Sequence, residues 1–281
     1  MAIFTNTDDV SGLLPEDYGS LIVQPVTQQS VAFQVGDVTP TSLHDYVIPI
    51  VTEDPSASWV AEGQEIGESE PSFTKLVVTP KKLAGLTETT SEMLEDSDPA
   101  ADDIIGAGIT RDIAKKVDLA FFGNLPDPAP KGLQSIAAQV TNISGPMDTL
   151  DIFAAAVAAS EEVGGTISYF VMNPNDYLTL RTIKKGLESN EALLSGAGTD
   201  PVGAPVLRSP AVPAGVIRGI PSQFAKVILR KDVEIKTSGD AAFTRDAVLV
   251  RAIMRIGFGF PHPKAIVRIA LTDAGTEVIT A

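Results

Sequence analysis

The sequence has no cysteine, only two histidines and one tryptophan, and little positive charge: 21 Lys and Arg stand against 36 Asp and Glu, a net charge of −15. Each shortage removes a class of function. Without thiols there are no disulfides, no cysteine nucleophile and no Cys-type zinc site, while the compartment stays open. His44 sits in an N-terminal arm and His262 lies between two prolines. Neither has a clustered partner, so neither reads as a catalytic base or a metal ligand. The acidic balance argues against gripping a phosphate backbone, which takes clustered Lys and Arg. The longest apolar run, Ile152–Ala159, is too short to span a bilayer. The opening MAIFTNTDDV has no basic stretch followed by an apolar one, so no secretory signal is expected. Aromatic residues make up 6% of the chain, which predicts a core of Val, Ile, Leu and Ala.

Motifs that carry chemistry fail one by one. Asp96, Asp98 and Asp102 have the start of a calcium-loop spacing, but Ala101 stands where the loop glycine belongs and Ala107 where the bidentate Glu belongs. Helix capping explains these acids. Gly106-Ala107-Gly108 has Arg111 in place of a third glycine, and Gly196-Ala197-Gly198 runs into Thr199, Asp200 and Pro201 with no Gly-Lys-Ser/Thr ending. Pairs such as Glu161/Glu162 carry no weight in so acidic a chain. No catalytic residue, cofactor or metal site is assigned, and the expectation is a protein that is not an enzyme.

What is present is an organisation of 281 residues, enough for one large domain or two small ones. Residues 1–45 read as an extended arm, with a short helix around Pro15–Val23 and a brief alternation at Val31, Phe33 and Val35. Tyr46–Val51 is a strand that Pro49 pushes to an edge. Trp59–Glu62 and Phe73–Val78 are expected as the two sides of a long hairpin joined through Gly63 and Gly67. The acids Glu53, Asp54, Glu62, Glu65, Glu68 and Glu70 all precede its first lysine, Lys75. Two readings stay open: a solvated charged loop, or an arm kept off its own domain until a basic neighbour arrives. Trp59 likewise reads as a core anchor or as an anchor between subunits; in either case it is expected to fix the hairpin base.

Residues 83–95 end in a short helix. A long helix then starts with Asp98 as N-cap and Pro99 at N1, and Gly123 closes it. Ile105, Ile109, Ile113, Val117 and Phe121 recur every four residues and make one apolar stripe, expected to face a sheet of C-terminal strands. Gly106 and Gly108 inside it predict a bend or a close backbone contact. After the turn-rich LPDPAPKGLQSI come a helix at Asp148–Val163, with Leu150, Phe153, Ala154 and Val157 inward, and a buried strand at Thr166–Met172. Asn173-Pro174 opens a helix with Tyr177, Leu178 and Ile183 inward. A Gly/Ser-rich loop at Lys185–Val202, short strands at Val206–Leu207 and Val216–Ile217, and three strands at Lys226–Lys236, Val248–Phe258 and Ala265–Leu271 complete the chain. Helices and strands mix without regular βαβ alternation, so the class is α+β.

These parts, in this order, resemble the HK97-fold major capsid protein family of tailed bacteriophages. Trp59-Val60-Ala61-Glu62-Gly63 followed by Glu70-Pro71-Ser72-Phe73 looks like the family's E-loop, and Lys81–Thr87 like its return strand. Ser91-Glu92-Met93-Leu94 resembles the short helix before the family's spine helix. Gly123-Asn124 with Pro130-Lys131-Gly132-Leu133 resembles the turn into its A-domain. Phe170-Val171-Met172-Asn173-Pro174, Gly203-Ala204-Pro205-Val206 and Pro263-Lys264-Ala265-Ile266-Val267 match its strand-Asn-Pro-helix, its "G-x-P-V" and its final P-domain strand.

The resemblance implies an N-arm (1–45), an E-loop hairpin with flanking strands (46–87), a P-domain with the spine helix (88–134), an A-domain (135–224) and C-terminal P-domain strands (225–281). It implies a homo-oligomer of pentamers and hexamers forming an icosahedral shell around double-stranded DNA without sequence-specific binding, assembled in the host cytoplasm. Separate scaffolding, portal and decoration proteins are the implied partners, and no membrane is. Trp59, Glu62, Glu65, Glu68, Glu70 and Lys75 are the expected inter-subunit contacts. Only about 45 residues precede the hairpin, so no long scaffolding region is expected. Lys75, Lys81 and Lys82 have no Asn in the matching strand region, so the Lys–Asn cross-link of some members is not expected. The alternative is an encapsulin-type compartment, which needs a cargo-peptide groove near the N-terminus; residues 1–35 offer one short, Pro-flanked helix for it.

Overall fold

The computed structural model describes residues 30–53, 55–65, 68–90, 101–185, 190–194, 200–238 and 244–272. The helices expected at Pro15–Val23 and Ser91–Leu94, the caps Asp98 and Pro99, Asp96, and Gly67 and Gly196–Gly198 lie outside these residues.

The described residues begin with a short helix α1 (Val31–Val35) and a strand β1 (Asp37–Pro40). The brief alternation at Val31, Phe33 and Val35 is therefore helical, not extended. A neighbouring helix supplies the reason. Asp118 accepts hydrogen bonds from the Ser30 hydroxyl (2.6 Å) and from the amides of Val31 (3.2 Å) and Ala32 (2.9 Å). Those are the donors that the first turn of a helix leaves unsatisfied. Burial of Val31, Ala32, Phe33 and Val35 does the rest.

Strands β2 (Tyr46–Glu53) and β3 (Ser72–Val78) form a separate two-stranded antiparallel ribbon. Then β4 (Lys81–Thr90) leads to the long helix α2 (Ala101–Phe122). Its helical run is unbroken at Gly106 and Gly108, and a Cβ on Gly108 would come no nearer than 3.9 Å to its surroundings, the Arg111 guanidinium. At Gly108, then, the expected close backbone contact is not found. Gly123 ends the helix, its amide bonded to the Leu119 carbonyl at 3.0 Å.

Strands β9 (Lys226–Ser238) and β10 (Ala247–Gly259) are the two longest. They form a four-stranded sheet in the order β1-β9-β10-β4. Ile113, Val117 and Phe121 are buried in one cluster with Val233, Ile235, Val250, Met254 and Phe258 of this sheet, as their spacing predicts; Ile109 is partly buried against it. Phe121 sits at the centre, with ring centroids 5.0 Å from Phe122, 5.1 Å from Phe258 and 5.7 Å from Phe260. Aromatic rings thus fill the place where helix meets sheet, and Phe153 and Phe170 pair in the other core cluster, which corrects the expectation of a purely aliphatic core.

A second cluster lies beside the five-stranded sheet, ordered β5-β11-β8-β6-β7: β5 (Thr141–Gly145), β6 (Tyr169–Met172), β7 (Val206–Arg208), β8 (Val216–Ile220) and β11 (Val267–Leu271). Helix α3 (Asp151–Glu162) buries Ile152, Phe153, Ala156 and Ser160; Ala154, expected inward, is exposed. Helix α4 (Pro174–Thr182) starts at Asn173, whose side chain accepts from the Asn175 amide at 3.1 Å. Leu180 is its buried residue, and Leu178, expected inward, is 64% exposed. The last strand also departs from expectation. β11 pairs with β5 and β8 rather than beside β9 and β10, so the last described strand lies in the second sheet.

Candidate subunit-contact hairpin

The hairpin is built by register. Val47 pairs with Val77, Pro49 with Lys75 and Val51 with Phe73, so these six side chains share one face. The outgoing strand is Tyr46–Glu53. Trp59–Glu62, expected in that role, lies beyond it in the connecting loop, where the Gln64 amide bonds the Ala61 carbonyl at 3.1 Å and Gly63 takes φ +80°. That left-handed turn is a glycine position. Farther back, the Ser69 hydroxyl bridges both sides of the loop, accepting from the Ser56 amide (3.0 Å) and donating to the Ser56 carbonyl (3.3 Å).

The two faces of the ribbon differ. On one, Ile48, Leu76 and Val78 turn towards β10, where Gly257 and Gly259 make room for them. A Cβ at Gly257 would lie 2.8 Å from Val78 Cγ1 and 3.2 Å from Pro80 Cα, and one at Gly259 2.9 Å from Val78 Cγ2 and 3.0 Å from Ile48 Cδ1. The ribbon root therefore rests directly on the backbone of the large sheet. The Thr79 hydroxyl donates to Asp45 at 2.5 Å. That bond, and then His44, hold the Asp45 carboxyl below its ordinary value. Lys81 pairs with Asp127 at 3.6 Å across the rim of a 610 Å³ cleft between the root and the Asn124–Gln139 crossing.

On the other face Val47, Val51, Phe73 and Val77 are exposed around the Lys75 side chain. At the loop Trp59 is fully exposed, which rules out its reading as a core anchor of this subunit and places it far from the hairpin base. Glu62, Glu65, Glu68 and Glu70 are all exposed and enter no ion pair among the described residues. The structure thus brings all six sequence-predicted residues to the free part of one ribbon.

Polar groups that sequence reasoning missed lie elsewhere. Asp118 is buried, and burial raises its carboxyl above the ordinary value against the pull of Ser30, Ala32 and Val31. A carboxyl raised on folding favours the fold most below its ordinary value, and that contribution declines as pH rises through the higher folded value. Arg218 is buried in β8. Its only signal in the sequence is one arginine inside the apolar run Val216–Ile220. Of the histidines, His262 holds the Val163 carbonyl through Nε2 at 2.9 Å and packs edge-on to Phe224, while His44 lies beside Asp45. No cluster of three His, Asp or Glu suited to a metal occurs among the described residues, and none of the helices there is long and apolar enough to cross a membrane.

Comparison with known proteins gives a consistent picture. The model of the phage capsid family matches residues 11–271. A major capsid protein of Klebsiella oxytoca phage phiKO2 is 21% identical over 298 residues, covering 95% of this chain and 69% of that protein. Among solved structures, a chain from Mycobacterium phage Bobi superposes with a TM-score of 0.73 at 16% identity, covering 96% of this chain and 99% of that one. The capsid of an empty GTA particle does so with a TM-score of 0.71 at 17% identity, covering 87% and 90%. At these identities the structural likeness speaks for the fold, an HK97-like capsid fold.

Proposed function

The chain belongs to the phage capsid family, and from that premise we propose that it closes, as pentamers and hexamers, into an icosahedral shell around double-stranded DNA. It is a structural protein of the virion capsid, from a family that is not an enzyme class. The single observation that carries the assembly reading is the free ribbon: Trp59 fully exposed at the loop and an apolar face, Val47, Val51, Phe73 and Val77, left open along the strands. A monomer does not gain by exposing such a face, and a shell subunit does, because each copy reaches across the next. Trp59 and Lys75 act as contacts in this reading, and Glu62, Glu65, Glu68 and Glu70 meet basic groups of the neighbour.

The division of the chain follows the same reading. Residues 1–45 form the arm, 46–87 the hairpin and its flanking strands, 88–134 and most of 225–281 the P-domain, and 135–224 the A-domain, with β11 crossing back to join the A-domain sheet. The net charge of −15 suits a shell that encloses DNA without gripping it. Scaffolding, portal and decoration are supplied by other proteins, and assembly takes place in the host cytoplasm.

Electron microscopy of the purified protein tests the proposal. Closed icosahedral shells are expected, and on denaturing electrophoresis their protein runs as one band near 29.5 kDa. Tubes or dispersed monomers refute the shell, small cages with protein cargo favour a compartment, and a ladder of multimers refutes non-covalent assembly.

A further inference from the structure

We propose that Arg218 and Arg268 form a receptor for an oxyanion, either free phosphate or a carboxylate supplied by a neighbouring copy. The two residues stand directly opposite each other on the antiparallel strands β8 and β11, so their side chains leave the same face of the sheet. That face otherwise carries Val216 and Ile220, which pack into the larger core. An arginine pair is out of place there, and like charges directly opposite each other weaken a sheet.

Arg218 is 1% exposed. Its Nη2 donates to Gln134 Oε1 at 2.6 Å, but its Nε and Nη1 have no acceptor among the described residues. Arg268 repeats the pattern: its Nε is buried without an acceptor, and Nη1 reaches Asn142 Oδ1 only at 3.5 Å. The amide nitrogen of Asn142 is committed to the carbonyls of Ala137 and Val140. No carboxylate among the described residues pairs with either arginine. Burial, and then Arg268, lowers Arg218 to about 10, so it remains charged at neutral pH.

Three unpartnered donors on two facing arginines suit an oxyanion, whose oxygens match the planar fork of arginine. An anion between them turns the cross-strand repulsion into attraction and satisfies groups that are otherwise costly to bury. Because Arg268 is only partly buried, the approach lies on its side. Gln134 and Asn142 flank the pair, so the receptor ties the sheet to the segment that crosses from the long helix.

The test has two arms. Unassembled subunits are unfolded thermally in increasing sodium phosphate against sodium chloride at matched ionic strength, which stands whether or not shells form. Free phosphate as the ligand raises the midpoint by roughly 2–4 °C at about five times its dissociation constant and further with the logarithm of concentration beyond that, and Arg268→Gln abolishes the rise. In the second arm, high-resolution density of wild-type particles assembled without phosphate is inspected between the two guanidiniums. A carboxylate from the neighbouring copy there assigns the site to assembly. An equal phosphate rise in wild type and Arg268→Gln overturns the proposal, as does no rise together with water alone between the guanidiniums.

Discussion

Two parts of this chain carry apolar rows of similar chemistry and meet opposite fates. On the long helix, Ile113, Val117 and Phe121 are at most 5% exposed; on the ribbon, Val47, Val51, Phe73 and Val77 are 48–69% exposed. The helix row closes against a sheet of its own subunit. The ribbon row has only a second strand beside it, and a two-stranded ribbon has no third layer to bury a face. In the proposed assembly, the difference separates what folds the subunit from what would join subunits. An apolar face left open in this way is the surface through which the proposed assembly would join copies.

The largest effect on the folded subunit is expected on the helix side of that comparison. Ile113→Ala removes buried methyl groups from the cluster shared with Val250 and Met254, and such truncations cost about 2–5 kcal/mol. Ala107→Ser lies on the exposed side of the same helix and is expected within about 0.5 kcal/mol of wild type. Denaturant unfolding of the subunit measures both. A larger loss for Ala107→Ser than for Ile113→Ala would mean that the buried face has been misassigned.

The second variant sharpens the boundary between the two regions. Gly257→Ala puts a methyl 2.8 Å from Val78 and 3.2 Å from the Pro80 backbone, where the ribbon root rests on β10. Overpacking of this kind costs about 1–3 kcal/mol. Val78 packs its second methyl against Gly259 as well, so relief is expected to come from tilting the ribbon. Moderate loss of stability with poor shell formation is the expected result. Full stability together with normal shells would show that the root tolerates a different angle and that the glycine serves no purpose in aiming the arm.

The same contrast explains how much of the molecule could be read in advance. The long helix was legible because a four-residue repeat, a proline before it and Gly123 after it all agree. Strands Lys226–Ser238 and Ala247–Gly259 were legible to within two residues from their β-branched runs. The ribbon was harder. Trp59-Val60-Ala61 has the composition of a strand, yet Gly63 and the Ala61–Gln64 turn follow at once, and the true partner of Phe73–Val78 is the proline-containing Tyr46–Glu53. Val31–Val35 misled because a five-residue alternation cannot tell strand from helix; the carboxylate that decides it, Asp118, is 86 or more residues away. The sheet switch of Val267–Leu271 and the burial of Arg218 are likewise long-range facts, invisible to local periodicity. Trp59, Glu62, Glu65, Glu68, Glu70 and Lys75 could be gathered on one arm because they are near neighbours in sequence. In the proposed assembly, what they touch would lie in another copy.

The smallest effect on the fold is expected at the tip of the ribbon, and that is where the comparison is most exposed to refutation. Trp59 makes no buried contact in its own subunit, so Trp59→Ala should leave unfolding within about 0.5 kcal/mol of wild type. An aromatic anchor seated in a partner, in contrast, typically loses 2 kcal/mol or more, roughly a factor of 30 in affinity, when truncated. The change should therefore be silent in the unfolding of isolated subunits and plain in the concentration needed for shells. Reversing the charge of Glu62, Glu65, Glu68 and Glu70 to Lys probes the same arm by another force, because these acids are exposed and make no ion pair among the described residues. If they meet basic groups on a neighbour, the fourfold variant folds and fails to assemble, and added salt weakens wild-type assembly by screening the attraction. If both variants build shells at wild-type concentrations, the arm is a solvated loop, and the exposed tryptophan has no role that assembly can reveal.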